Sequence, residues 1–305
     1  GSQLNLALPT VRILTFCGMS AALGAFFGAP LGGALFALEL PHRRGLEYYE
    51  ALIPAVLSAI LSFTVFRCST GLSIGGMYRF ESIPPLTLTH LLEGAILGIV
   101  GAAVALLFVL IFRVVGYLTE PLHHQTILLA TLGGLAIGLI AIVFPQTLFF
   151  GEKQIDLIIE QGATYGITLL LLIGLAKMLA ISCTLHCGFR GGFIFPLFYI
   201  GAAVGLAIAL GFPQIHPTIS MVCLMAAVNV AITKTPISTT VILSVIADTS
   251  MVPVIVIASF TSFLLTTQVS LIKTQRSRSE SEADPRPVLE SASIAVGSAA
   301  SVPQA

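Results

Sequence analysis

The chain has 305 residues, 56% of them hydrophobic and only 9% charged, with a mean hydropathy of +1.00. A soluble domain carries charge on about a quarter of its residues, so composition excludes an ordinary water-exposed globule and points to a bilayer as solvent. Lys plus Arg and Asp plus Glu balance at 14 each, which leaves no basic stripe for nucleic acid and no net charge for a polyanionic partner.

Gly1-Ser2 reads as a cloning remnant or an arbitrary cut, not as fold. The first apolar run, 13–40, is interrupted by Pro30. The next, 50–66, leads into a more polar loop at 67–87 flanked by Arg67 and Arg79. Runs at 94–112 and 126–144 follow; Thr126 to Phe144 contains no charged residue and is about as long as a bilayer-spanning helix needs. Glu152, Lys153, Asp156 and Glu160 mark a short polar helix with a solvated face. The run 167–185 carries Lys177, and Gly188, Gly191 and Gly192 separate it from 193–212. Pro236 divides 219–232 from 237–247, and 252–267 is the last apolar run. From about Ser270 the composition shifts to Ser, Ala, Pro and charge, which reads as a solvated, disordered tail. The expected fold is therefore all-α, integral to the membrane and multi-pass. His42-Arg43-Arg44 and Lys273, Arg276 and Arg278 are the densest basic clusters, which places both on the cytoplasmic side, with both termini of the parent protein cytoplasmic.

Lipid offers no hydrogen bonds, so broken helices at membrane depth line a cavity or a binding site. The most informative break is Gly188-Phe-Arg-Gly-Gly-Phe-Ile-Phe-Pro196. Its glycines allow a tight turn with unhindered N–H groups. A helix starts near Phe193, and Pro196 falls in the first turn, where its missing N–H costs little. The unpaired first N–H groups and the positive end of the helix dipole then offer an anion site. A glycine turn used only for close helix packing is the bland alternative, and the run alone does not separate the two. Cys17-Gly-Met-Ser-Ala-Ala-Leu-Gly-Ala-Phe-Phe-Gly-Ala-Pro30 also matches Cys223-Leu-Met-Ala-Ala-Val-Asn-Val-Ala-Ile-Thr-Lys-Thr-Pro236, with Cys, Met, two Ala and Pro in register. That is the mark of an internal duplication, and most of the first copy is expected to lie upstream of this chain.

Other chemistry is poorly represented. There is no His-Glu-x-x-His, Asp248 stands alone and no Ser–His pair is suggested, so an intramembrane enzyme is not expected. Cys183, His186 and Cys187 lack a second ligand pair for zinc, and the cysteines read as buried thiols. No cofactor is implied. Lys177 must face protein, water or a partner, in a pore-field role or a structural one. Arg190 is an added positive charge in a vestibule or a plain loop residue. Lys234 is expected to snorkel to the interface, and His123-His124 read as loop residues.

Phe27-Gly-Ala-Pro-Leu-Gly-Gly-Ala-Leu-Phe-Ala-Leu-Glu39 resembles the Phe-Asn-Ala-Pro-Leu-x-Gly-x-Leu-Phe-x-x-Glu segment of the CLC chloride channels and chloride/proton exchangers. Gly191-Gly192-Phe-Ile-Phe-Pro196 is similar to that family's Gly-Gly-x-Phe-x-Pro anion motif, and Ala176-Lys177 to the Ala-Arg/Lys of the preceding helix. The resemblance is collinear from about Val11 to Gln268. It implies an inverted-repeat bundle of long, tilted and broken helices: 1–87 as the C-terminal part of a first repeat, 88–269 as a second repeat with the anion-site helix, and 270–305 as a cytoplasmic tail. It also implies chloride or another small anion as the transported ligand, and a homodimer built on helices near 31–40, 50–66, 236–247 and 252–267. Anion coordination is expected from the amides of Gly192, Phe193, Ile194 and Phe195, with Glu39, Leu40, Lys177 and Arg190 as pore or proton-path candidates. The family's Gly-Ser-Gly-Ile-Pro serine motif and gating-glutamate motif belong upstream of Val11, and its pore tyrosine has no counterpart after Tyr199. Leu40 stands where the exchangers carry a proton-transfer glutamate, which favours a passive channel. A proton-coupled chloride or fluoride antiporter using Glu39, and a truncated non-conducting remnant, are the alternatives.

Overall fold

Residues 7–41, 49–71, 78–269 and 271 are described by a computed structural model, and among them there are helices and turns but no strand. The basic cluster at 42–44 and the tail cations Lys273, Arg276 and Arg278 lie outside the described residues. The helices are α1 (Leu8–Phe27), α2 (Pro30–Glu39), α3 (Leu52–Thr70), α4 (Leu88–Thr119), α5 (Thr126–Val143), α6 (Glu152–His186), α7 (Ile194–Gly211), α8 (Pro217–Thr233), α9 (Pro236–Ile246) and α10 (Val252–Thr266). Among the described residues, seven segments are long and apolar enough to cross a membrane. With this composition, the fold is that of a multi-pass integral membrane protein.

Burial shows which helices are central. In α7, 78% of the spanning window is enclosed, against 11% in α5, so α7 is the hub and α5 faces outward. α7 packs most extensively against α8 and α6, and α8 packs on α4 and α10. The α7–α8 contact depends on Gly201 and Gly205, one turn apart on one face. A Cβ at Gly201 would lie 2.5 Å from Met225 Cα, and one at Gly205 would lie 2.6 Å from Met221 Cα. Small residues at this spacing let two backbones touch, which is how helices associate where lipid removes the hydrophobic drive. A smaller core joins α1, α2 and α3 through Phe16, Ala34, Leu38, Ala55 and Ala59.

The expected breaks occur, with boundaries set by local chemistry. α1 ends at Gly28, which is left-handed at φ 66°, and α2 starts on Pro30. α8 ends at Lys234, also left-handed at φ 61°, and α9 starts on Pro236. Each break is thus a helix, a left-handed residue, one further residue and a proline at the first helical position, where it loses no intrahelical bond. Within α6 the backbone leaves the helical region at Gly166 (φ 73°, ψ 167°), so the polar helix and the run 167–185 are two helical segments that meet at a kink, as expected. Its polar segment is only partly solvated: Lys153 and Glu160 are exposed, whereas Ile155 and Ile158 are buried and Asp156 is half-buried.

Lys234 corrects an expectation. It does not snorkel; it is 1% exposed, and its Nζ donates to Ala231 O at 2.6 Å, to Thr266 O and to Thr266 Oγ1 at 3.0 Å. The break places the C-terminus of α8 inside the protein, beside the end of α10. Carbonyls without intrahelical donors gather there, and an ammonium satisfies them while complementing two helix dipoles.

Candidate anion site at the start of α7

The glycine turn runs into α7 at Ile194, with Phe193 as its N-cap. Leu197 N–H donates to Phe193 O at 2.9 Å and closes the first turn. Pro196 has no N–H, so Ile194 and Phe195 carry the amides of α7 that have no acceptor within the helix. Phe193 stands at the cap, and Gly192 lies one residue outside the helix. The side chains of 193 and 195 turn in different directions. The Phe193 ring packs against Phe108 and Phe112 with centroids 6.4 and 5.8 Å away. The Phe195 ring stacks on Phe27 at 5.5 Å and meets Phe26 edge-on at 5.0 Å, so the end of α1 abuts the start of α7.

A cavity of about 440 Å³ opens beside this turn, walled by Gly191, Gly192 and Pro196, with Lys177, Arg190 and Phe150 among its other lining residues. Lys177 comes from α6 and is 2% exposed. Its Nζ donates to Thr147 O at 2.8 Å and Phe149 O at 2.6 Å and stands 5.3 Å from the centroid of the Tyr199 ring. Among the described residues no carboxylate pairs with it. Two carbonyl dipoles and a ring face stabilise an ammonium without cancelling its charge. The cavity therefore holds a net positive potential, reinforced by the exposed guanidinium of Arg190 at its mouth.

The structure brings Lys177, Arg190, Gly192 and Pro196 to one cavity, whose lining does not include Phe193, Ile194 or Phe195, and Glu39 and Leu40 lie elsewhere. Leu40, half-buried, caps α2 and donates its N–H to Phe36 O at 2.9 Å. Glu39, fully buried, turns toward α9. Its Oε2 accepts from Ser238 N–H at 2.8 Å and Ser238 Oγ at 2.6 Å, and its Oε1 accepts from Ile237 N–H at 3.2 Å. It occupies the positive end of α9 as an intramolecular anion. Sequence reasoning overlooked Thr147, Phe149 and Tyr199 as partners of Lys177, and Ser238 as the partner of Glu39. No local pattern marks them, because two act through backbone carbonyls and Ser238 is 199 residues away in sequence. Cys183 and His186 lie near the end of α6 without a third ligand, and no metal-ligating group of three occurs among the described residues.

A bundle of apolar helices broken at membrane depth beside a cationic cavity defines a class: polytopic membrane proteins built from discontinuous helices. The sequence profile described as "Voltage gated chloride channel" matches residues 2–267, and the chain belongs to that family, the CLC proteins. A chloride/fluoride channel protein of Pseudomonas syringae pv. tomato is 29% identical, over 87% of this chain and 58% of its own length. A CLC-type fluoride/proton antiporter of known structure superposes with a TM-score of 0.72 at 21% identity, covering 85% of this chain and 64% of that one. A eukaryotic CLC transporter gives 0.61 at 21% identity, over 94% and 47%. These solved structures share the fold, and the chain spans only about half to two-thirds of the length of each of these relatives.

Proposed function

We propose that this chain forms part of a CLC-type pathway that carries chloride or another small anion passively across the bilayer. The observation that carries the reading is the cavity beside the glycine turn before α7, lined by Gly191, Gly192 and Pro196 and by an ammonium that pairs with no carboxylate among the described residues. Amides and a dipole bind an anion weakly enough for it to leave again, as conduction requires. The Pseudomonas relative, named as a chloride/fluoride channel, supports the same class of ligand. Two features favour passive movement over proton exchange. Leu40 has no titratable group, and the carboxylate of Glu39 is committed to the N-terminus of α9. No cofactor enters this reading; the anion is the only ligand. By the family resemblance the working unit is a homodimer with one pathway per subunit, joined through α2, α3, α9 and α10.

The test is simultaneous anion and proton flux from liposomes loaded with chloride or fluoride. Anion efflux without stoichiometric proton movement is the expected result; locked proton uptake would establish an antiporter, and no efflux from a folded sample would favour the remnant. Phe193→Pro supplies a site-level check, because φ at Phe193 is −87°, close to what proline adopts, and the change removes one amide. Chloride binding should weaken while the helix is retained; unchanged binding would discard the site.

A further inference from the structure

The loop that delivers Phe150 to the cavity is held in an unusual shape. Phe149 sits at φ 59° and Gly151 at φ 109°, so Phe150 is bracketed by two left-handed residues. A bulky residue rarely adopts that conformation, and it persists where the surroundings over-determine it. Here the surroundings are Lys177, whose amine takes the carbonyls of Thr147 and Phe149 on either side of Leu148. Gly151 adds a second constraint, since a Cβ there would come within 3.3 Å of Tyr199 Cβ, on the residue whose ring lies beneath the same amine.

The strained loop does not bury Phe150. The ring is 47% exposed, lines the cavity, and leans edge-on against Phe195 with centroids 5.6 Å apart at 82°. A residue recruited only for the core would be enclosed. This one is stationed, apolar and half-open, beside an ammonium and the glycine turn that leads into α7. An anion entering there must shed the water on its Phe150 side. The ring returns no hydrogen bond, only the weak positive potential of its edge. That exchange is least costly for large, weakly hydrated monovalent anions and most costly for fluoride or a dianion.

We propose that Phe150 is a specificity-determining residue of this anion pathway, selecting weakly hydrated monovalent anions over strongly hydrated ones, with Lys177 as the residue that positions it. The inference rests on the anion-transport reading above.

The experiment exploits the absence of tryptophan from the chain. Phe150→Trp introduces a single indole at the cavity, and iodide is the probe. In purified, monodisperse protein, iodide should quench the indole saturably, and chloride should reverse the quenching more effectively than fluoride. Adding Lys177→Met should convert saturable quenching to the linear, collisional kind. Linear quenching in Phe150→Trp itself, or equal reversal by chloride and fluoride, overturns the proposal. The companion measurement is the iodide-to-fluoride flux ratio in liposomes. Phe150→Ala should lower it by about threefold or more, the scale on which one aromatic contact acts, and Phe150→Leu should fall between. An unchanged ratio in a transporting protein refutes the role of Phe150 and leaves the transport reading intact. Saturable, chloride-reversible quenching in a protein that passes no anion does the reverse.

Discussion

Glu39 offers the sharpest test of how the two breaks are tied together. Three donors converge on its carboxylate, Ile237 N–H, Ser238 N–H and Ser238 Oγ, at 3.2, 2.8 and 2.6 Å. Among the described residues no cation pairs with it, so its compensation is the N-terminus of α9. In Glu39→Ala the serine hydroxyl can rotate to another acceptor, but the two backbone amides lose their acceptor at about 1–3 kcal/mol each, the buried Ser238 amide at the upper end. Losing the negative charge at the helix end adds up to about 1 kcal/mol. The expected cost is therefore roughly 2–7 kcal/mol of unfolding free energy, before any term for the cavity left behind. Glu39→Gln keeps one acceptor oxygen but turns an amide donor toward other donors, which costs about 1–3 kcal/mol. The assay is equilibrium unfolding in mixed micelles followed by far-ultraviolet circular dichroism, with anion flux measured in parallel. Were Glu39 a neutral proton carrier, glutamine would replace it almost isosterically. A Gln variant within about 0.5 kcal/mol of wild type, well below the cost of one stranded donor, would refute the capping argument.

Other expectations follow from the same geometry. At Lys234, glycine should be better tolerated than alanine by about 1 kcal/mol, since φ is 61°, although both lose the bonds to Ala231 and Thr266; comparing the two melting curves checks this, and equal stability would contradict it. Gly201→Val must push α7 off the backbone at Met225, so the variant should fail to give a monodisperse peak on size exclusion. Asp248 accepts from Ser250 N–H at 2.6 Å, and hydrogen bonding by the Ser250 side chain, then by this N–H, holds its carboxyl below the usual range. The cap is therefore fully present at neutral pH and lost only as pH falls below about 4, through the depressed folded value. Because Asp248 is solvent-exposed, the effect should be local, read as faster hydrogen exchange at Ser250 relative to that in Asp248→Asn as pH falls.

The sequence by itself determined what depends on local chemistry and on solvent. Low charge and long apolar runs require a membrane. Pro30, Pro236 and the glycines at 188, 191 and 192 break helices within one or two residues of where they stand, because a missing N–H or a missing Cβ acts on the adjacent turn. The glycine turn, its proline in the first turn of α7 and the family resemblance were legible for the same reason. The separation of the polar helix from the run 167–185 was also legible, from the change in composition on either side of Gly166. Only the tertiary structure decided where the buried charges go. Lys177, Lys234 and Glu39 are each visible as costly residues in apolar surroundings, yet their partners are the carbonyls of Thr147 and Phe149, the end of α10 and the start of α9. Those partners are mainly backbone groups at loops and helix ends. Every residue possesses such groups, so composition and spacing cannot single them out. What makes them available is the fold, which leaves them unpaired at particular points in space and brings a distant side chain within hydrogen-bonding reach.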